Sequence, residues 1–175
     1  ELLLQHPDDA SWHEAIVSHN LLQKNSVHSA KRMASTLRKR VEPMGQDFWT
    51  ALLQVSDDLA KQMLLLATLC QSPVLGDFMA TVVSDARRMY RESLRSDDWQ
   101  DFILSRQRVV DGLEQFSASS IQKMGNNVFK ILADVGYLES GRSKKLQNIY
   151  LLPEMREWSM RLGCPKAYEA MESAR

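Results

Sequence analysis

Lys123, Asn126, Asn127 and Lys130 recur at spacings of three and four residues, and Arg142, Lys144 and Lys145 follow them closely. Ammonium and guanidinium groups contact phosphate oxygens, and a carboxamide can pair with the N6/N7 edge of adenine. This set can therefore bind a polyanion, and duplex nucleic acid suits it best. Asn and Lys also serve as plain phosphate contacts, so the residues predict weak sequence preference and strong salt dependence. A second set, Lys24, His28, Lys31, Arg32, Arg38 and Lys39, lies near the start of the chain. Within it Lys31, Arg32, Arg38 and Lys39 should hold a protein in register on a backbone rather than read bases.

These residues need elements to carry them. Ile121, Met124, Val128, Ile131 and Val135 make the apolar stripe of a helix, with Ser120, Lys123, Asn127, Lys130 and Asp134 on its opposite face. Gly136 stops that helix as a C′ glycine. Tyr137 to Glu139 reads as a short strand, Ser140 to Lys145 as a basic loop, and Leu146 to Leu152 as a β-rich return before Pro153. Helix, strand, cationic tip and return strand is the order of a winged helix, whose helix enters a major groove while the wing reaches phosphates. At the other end, Ser11-Trp12-His13-Glu14 reads as a capping box starting a helix at Trp12 and running to about Asn20. Leu21 to Asn25 is a turn, and Ser26 caps a second helix. Val27, Ala30, Ala34, Leu37 and Val41 form its inner stripe, the cations face outward, and Pro43 ends it. The pattern is helix-turn-helix-like, with a turn of about five residues where three or four are usual.

Charge distribution supports two such modules. The 175 residues carry 22 cations and 22 carboxylates, a net charge of zero, which alone argues against a nucleic-acid binder. From Ala15 to Val41, however, there are cations and no carboxylate, the stretch from Glu42 to Asp101 is acidic, and Ser117 to Gln147 is basic again. Charge segregated in this way leaves electrostatic footprints that the total conceals. The expected fold is mainly α: a helix-turn-helix-like module over residues 1–45, a helical scaffold over 46–95, and a winged-helix-like module with one small β-hairpin and C-terminal helices over 96–175. Scaffold helices are expected at Asp47–Gln54, Leu59–Gln71, Leu75 to about Ser93, and Trp99 to Gln115, the last with Phe102, Ile103, Val109, Val110 and Leu113 inward. Two more follow, at Glu154–Leu162 and Lys166–Ser173. Acidic residues at the helix starts, Asp97, Asp98 and Asp101 among them, are explained by the helix dipole without catalysis.

Other chemistries find little support. All four histidines, His6, His13, His19 and His28, fall early, and neither Cys70 nor Cys164 has a near neighbour at metal-ligand spacing. Both cysteines read as reduced structural thiols. With seven scattered glycines there is no phosphate-binding loop, and no nucleophile elbow occurs. No metal, cofactor or catalytic role is expected. The longest wholly apolar run, Met63 to Ala67, falls far short of a membrane span of roughly 20 residues. No signal peptide is visible, so a soluble, cytoplasmic protein is expected, although a chain opening on Glu1 can lack its natural start.

The segments NLLQKNSVHSAKRMASTLRKR, LGDFM, SDDWQDF and FKILADVGYLESGRSKKLQNIYLLPEMREW resemble the BrxA family of BREX bacteriophage-resistance loci, from about Asn20 to Gly163. The most specific portion is GYLESGRSKKLQ with the following LLPE. The resemblance implies an all-helical double-stranded-DNA-binding protein with helix-turn-helix and winged-helix character and no catalysis of its own. It would act beside methyltransferase, ATPase and phosphatase-like components. An inner-membrane label attached to the family finds no span in this sequence. Two rivals stand beside the DNA reading: RNA binding, and an adaptor that docks other defence components through Met155, Trp158, Met160 and Leu162.

Overall fold

Spacings of three and four govern the apolar residues of most of this chain, and helices follow from them. The computed structural model describes residues 1–107 and 112–175, is mainly helical, and comprises two compact units, residues 1–60 and 61–175.

In the first unit, α1 (Asp9–His13) continues into a π-helical turn (Glu14–Ser18), and α2 (Val27–Val41) and α3 (Gln46–Leu52) follow. The first helix begins before the expected Trp12. Asp8 sits in extended backbone and its carboxylate accepts the Ser11 N–H at 2.7 Å. A carboxylate both caps the free amides and suits the positive helix end, so Ser11 lies inside the helix it was expected to cap. Ser26 does cap α2, accepting from the Ser29 N–H at 3.2 Å. The connection spans residues 19–26, longer than the expected turn. Asn20 braces it, with Oδ1 accepting the Lys24 N–H at 2.9 Å and Nδ2 donating to the Lys24 carbonyl at 3.0 Å. Of the expected α2 stripe only Ala30 and Ala34 are buried; Val27 and Leu37 are exposed. Small side chains let α2 approach closely, and Ile16, Trp12, Val17, Leu22 and Leu2 complete a small core.

The helix α4 (Asp57–Gln71) leads into the second unit, where α5 (Pro73–Phe78), a π-helical turn (Met79–Val83) and α6 (Ser84–Arg88) form one run. This run stops short of Ser93 because Tyr90 turns the chain at φ 54°. Next come α7 (Ser96–Arg106), a 3-10 turn (Leu113–Gln115), α8 (Ala118–Val135), α9 (Glu154–Arg161) and α10 (Pro165–Ser173). The helix expected from Trp99 to Gln115 therefore ends earlier, and Val109 and Val110 lie outside the described residues. Phe78 is the hub of the core, meeting Trp99, Phe102 and Phe129 edge-on at centroid distances of 5.2, 5.3 and 6.3 Å. Trp99 lies against Gly125 of α8, where a Cβ would fall 2.6 Å from its Cδ1. Its indole N–H also donates to the Ile121 carbonyl at 2.9 Å. Among the described residues, no single helix is long and apolar enough to cross a membrane. There, only α4 and the run after it meet that test jointly, and they bend by 111° between them.

The expected hairpin is reduced to isolated bridges. Leu138 pairs with Leu146, and Ser93 pairs with Lys145, both antiparallel. The segment 144–147 thus lies between two others. On one side the Glu139 N–H donates to the Lys145 carbonyl (2.9 Å) and the Gln147 N–H to the Tyr137 carbonyl (3.0 Å). On the other, the Leu94 N–H donates to the Lys144 carbonyl (3.0 Å) and the Leu146 N–H to the Glu92 carbonyl (2.9 Å). Beyond Gln147 the return run forms no strand, because side chains take its backbone groups. Gln62, 4% exposed, donates to the Tyr150 carbonyl and accepts the Leu152 N–H, each at 2.9 Å. Arg87 binds the Gln147 carbonyl, Asn148 Oδ1 and the Ala174 carbonyl.

Candidate nucleic-acid interface

Gly136 ends α8 in the left-handed region at φ 95°, as expected, and the stripe on α8 turns half of the helix inward. Of the expected stripe Ile121 and Val128 are buried and Met124, Ile131 and Val135 half-buried, while Gly125, Phe129 and Leu132, outside that stripe, are buried beside them. The 3.6-residue period then places Lys123, Asn126, Asn127 and Lys130 together on the outer face, all exposed. The helix is about 27 Å long at 1.5 Å per residue, with its first carboxylate at Asp134 near the far end.

The basic turn is seated on this helix. A Cβ on Gly141 would lie 3.6 Å from the Lys130 backbone nitrogen and 3.7 Å from its Cα. Ser140 shapes the turn: its Oγ accepts the Ser143 N–H at 3.0 Å and its carbonyl accepts the Lys144 N–H at 2.9 Å. Arg142 and Lys145 are exposed. Lys144 is half-buried and differs from the expected wing-tip cation. Its backbone is left-handed at φ 51°, and its ammonium lies 5.2 Å from the Phe129 ring centroid. Held over an aromatic face, this charge covers the core as much as it meets solvent.

In the first unit the expected set is exposed along α2 at His28, Lys31, Arg32 and Lys39, while Lys24 is half-buried in the connection. Arg38 is engaged inside the unit. Its Nε bonds both Glu42 oxygens at 3.0 Å, Nη1 bonds Asp9 at 3.2 Å, and its guanidinium lies 4.8 Å from the Trp12 ring centroid. Bonding to Glu42, then Asp9, raises its pKa above the ordinary value. A phosphate would have to displace two carboxylates, so the structure gives Arg38 a structural role.

The remaining candidates from the sequence resolve differently in the structure. Met155 is fully buried and Trp158 and Leu162 are half-buried, which leaves Met160 as the exposed member of the expected adaptor face. Cys70 and Cys164 are both free, and they are neighbours lining one cavity. Burial, with Cys164 beside it, pushes the Cys70 thiol up to about 12. Among the described residues no group of three or more His, Cys, Asp and Glu is placed to hold a metal ion. The extended segment 92–94 was not foreseen from the sequence, where it reads as a helix end. The turn-forming Met89-Tyr90 before it carries no glycine or proline signal.

The BrxA family model matches residues 1–163. The chain is 42% identical over 175 residues to the BREX protein BrxA of Escherichia coli O9:H4 (strain HS), covering all of this chain and 82% of that protein. It is 30% identical over 157 residues to the BREX protein BrxA of Paramagnetospirillum magneticum, covering 90% and 79%. A crystal structure of an uncharacterized protein from Magnetospirillum magneticum superposes with a TM-score of 0.85 at 25% identity, over 97% of this chain and 87% of that one. Family model, full-length identity and shared fold agree, and the chain belongs to the BrxA family.

Proposed function

We propose that this chain is a non-catalytic double-stranded-DNA-binding component of a BREX-type phage-defence system, acting beside other BREX components and gripping DNA mainly by its phosphates. One observation carries the reading: the exposed row Lys123, Asn126, Asn127 and Lys130 on α8, with the Arg142 and Lys145 turn seated on the same helix. The element order supports a winged helix. The run 73–88, segment 92–94, α7, α8, segment 137–139, the turn and segment 144–147 follow one another, with 144–147 between the other two segments. In this reading α8 enters the major groove and the turn meets the adjacent backbone. The exposed cations of α2, Lys31, Arg32 and Lys39, make a second, helix-turn-helix-like phosphate surface.

Titration of labelled duplex DNA across a salt series tests this. A chain neutralising about six phosphates loses roughly three orders of magnitude of affinity between 50 and 200 mM salt. A Kd that hardly moves over that range would falsify the electrostatic account. Competition by duplex RNA or single strands decides the ligand: stronger competition by RNA than by DNA would reassign this surface to RNA.

A further inference from the structure

Arg95 stands where the segment 92–94 hands over to α7. The Leu94 N–H bonds the Lys144 carbonyl at 3.0 Å, and Ser93 bridges to Lys145. Arg95 is thereby fixed beside the base of the 140–143 turn, on the same edge as the exposed Lys145. Asp98, 7% exposed, organises the corner. Its carboxylate accepts the Arg95 backbone N–H at 2.6 Å and takes both terminal nitrogens of Arg91, at 3.3 and 2.7 Å.

That fork-on-carboxylate geometry satisfies Asp98 through Arg91. The side chain of Arg95 gets what remains: its Nε lies 3.6 Å from Asp98, beyond hydrogen-bond reach, and the side chain is 70% exposed. Two guanidiniums thus share one carboxylate, and among the described residues the second has no acidic partner besides Asp98. With Arg95 exposed, its Nε 3.6 Å away and Asp98 already bonded to Arg91, this contact is weak and leaves Arg95 able to take another anion. Glu92 and Asp97, both exposed, flank Arg95 in the chain, so a broad positive field does not explain how an anion would be held there. A directed guanidinium contact does, and a phosphate, like the carboxylate on Arg91, matches such a fork in two bonds; on the duplex-DNA reading the anion at this edge is a backbone phosphate.

We infer that Arg95, held by the Asp98–Arg91 pair next to the basic turn, is a further DNA-phosphate contact of the second unit. This rests on the duplex-DNA reading of α8 and the turn. The test is a salt series on duplex DNA with the full chain, comparing wild type, Arg95→Ala, Arg95→Lys and Lys123→Ala/Lys130→Ala. Arg95→Ala should weaken binding several-fold and lower the log–log salt slope by about one unit, with an unchanged thermal midpoint. Arg95→Lys should restore the slope but only part of the affinity, because an ammonium cannot make the paired contact. If Arg95→Ala matches wild type while Lys123→Ala/Lys130→Ala binds weakly, the inference fails and the DNA reading stands. If wild type itself shows no salt-dependent duplex binding, both fail.

Discussion

The two basic regions are alike in sequence and unlike in structure. α2 carries its cations on a helix held by alanines and a small core, and one of them, Arg38, is already bonded to Glu42 and Asp9. α8 is held from behind by Trp99 and Phe78, which pack against its Gly125 and Phe129, and the turn seated on it adds cations from a different part of the chain. Similar charges serve different ends according to what supports them. A rigid helix with a second basic segment presents several charges at once. A thinly packed helix presents fewer and uses some to hold itself in place.

The contrast is sharpest in binding. Removing Lys123, Lys130, Arg142 and Lys145 together should cost on the order of a hundredfold in duplex affinity at moderate salt and lower the salt slope by roughly three to four units, about one per contact. A slope equal to wild type would leave the second unit without the surface proposed for it. Next comes the support of that surface. Gly125→Leu drives a side chain into Trp99 and should destabilise the second unit by about 3 kcal/mol. Chemical denaturation monitored by tryptophan fluorescence would show it, and an unchanged midpoint would mean that α7 and α8 can separate freely.

Lys31→Ala/Arg32→Ala probes the weaker side. It should reduce affinity less than about tenfold, roughly two contacts' worth of slope. A loss larger than that of the four-residue variant would invert the comparison. Arg38→Ala should leave the slope where it is and lower the thermal midpoint of the first unit, since its partners are Glu42 and Asp9; a change in slope alone would return Arg38 to the DNA surface.

The smallest effect concerns alkaline pH and belongs to the second unit. Burial raises the Tyr137 phenol far above its ordinary range and lifts Cys70 to about 12. A group whose folded pKa is raised contributes its stability in full below the unfolded pKa and loses it as pH rises. Stability should therefore hold to about pH 9 and decline above it as the unfolded thiol and phenol ionise. Thermal midpoints from about pH 8 to 10.5 would follow this, and Tyr137→Phe should flatten the upper part of the curve. A Tyr137→Phe curve parallel to wild type would show that the phenol contributes nothing to the decline.

Much of the fold and of the outward-facing set was legible from local signals. Ser26, Gly136 and the stripe on α8 act within one helical turn, and they placed α2 and α8 with their outward residues. What stayed hidden depends on distant partners. The exception is the start of the first helix, where Asp8 caps through the Ser11 N–H only three residues on. Gln62 and Arg87 hold the return run as an irregular segment from far away in sequence, so its β-rich composition had no strand to express. Lys144 and Arg38 looked like their cationic neighbours, and only their contacts with Phe129, Trp12 and Glu42 distinguish them.

Arg87 has a consequence for how the molecule assembles. Its guanidinium joins α6 to residues 60, 61 and 87 positions further along the chain, at Gln147, Asn148 and Ala174. Burial lowers its pKa, so the cation is retained against a desolvation cost that those three acceptors offset. Contacts of such long range form late, because each must close a large loop before it stabilises the chain. A nascent chain still short of Ala174 would therefore carry the segment around Gln147 and Asn148 incompletely anchored to α6.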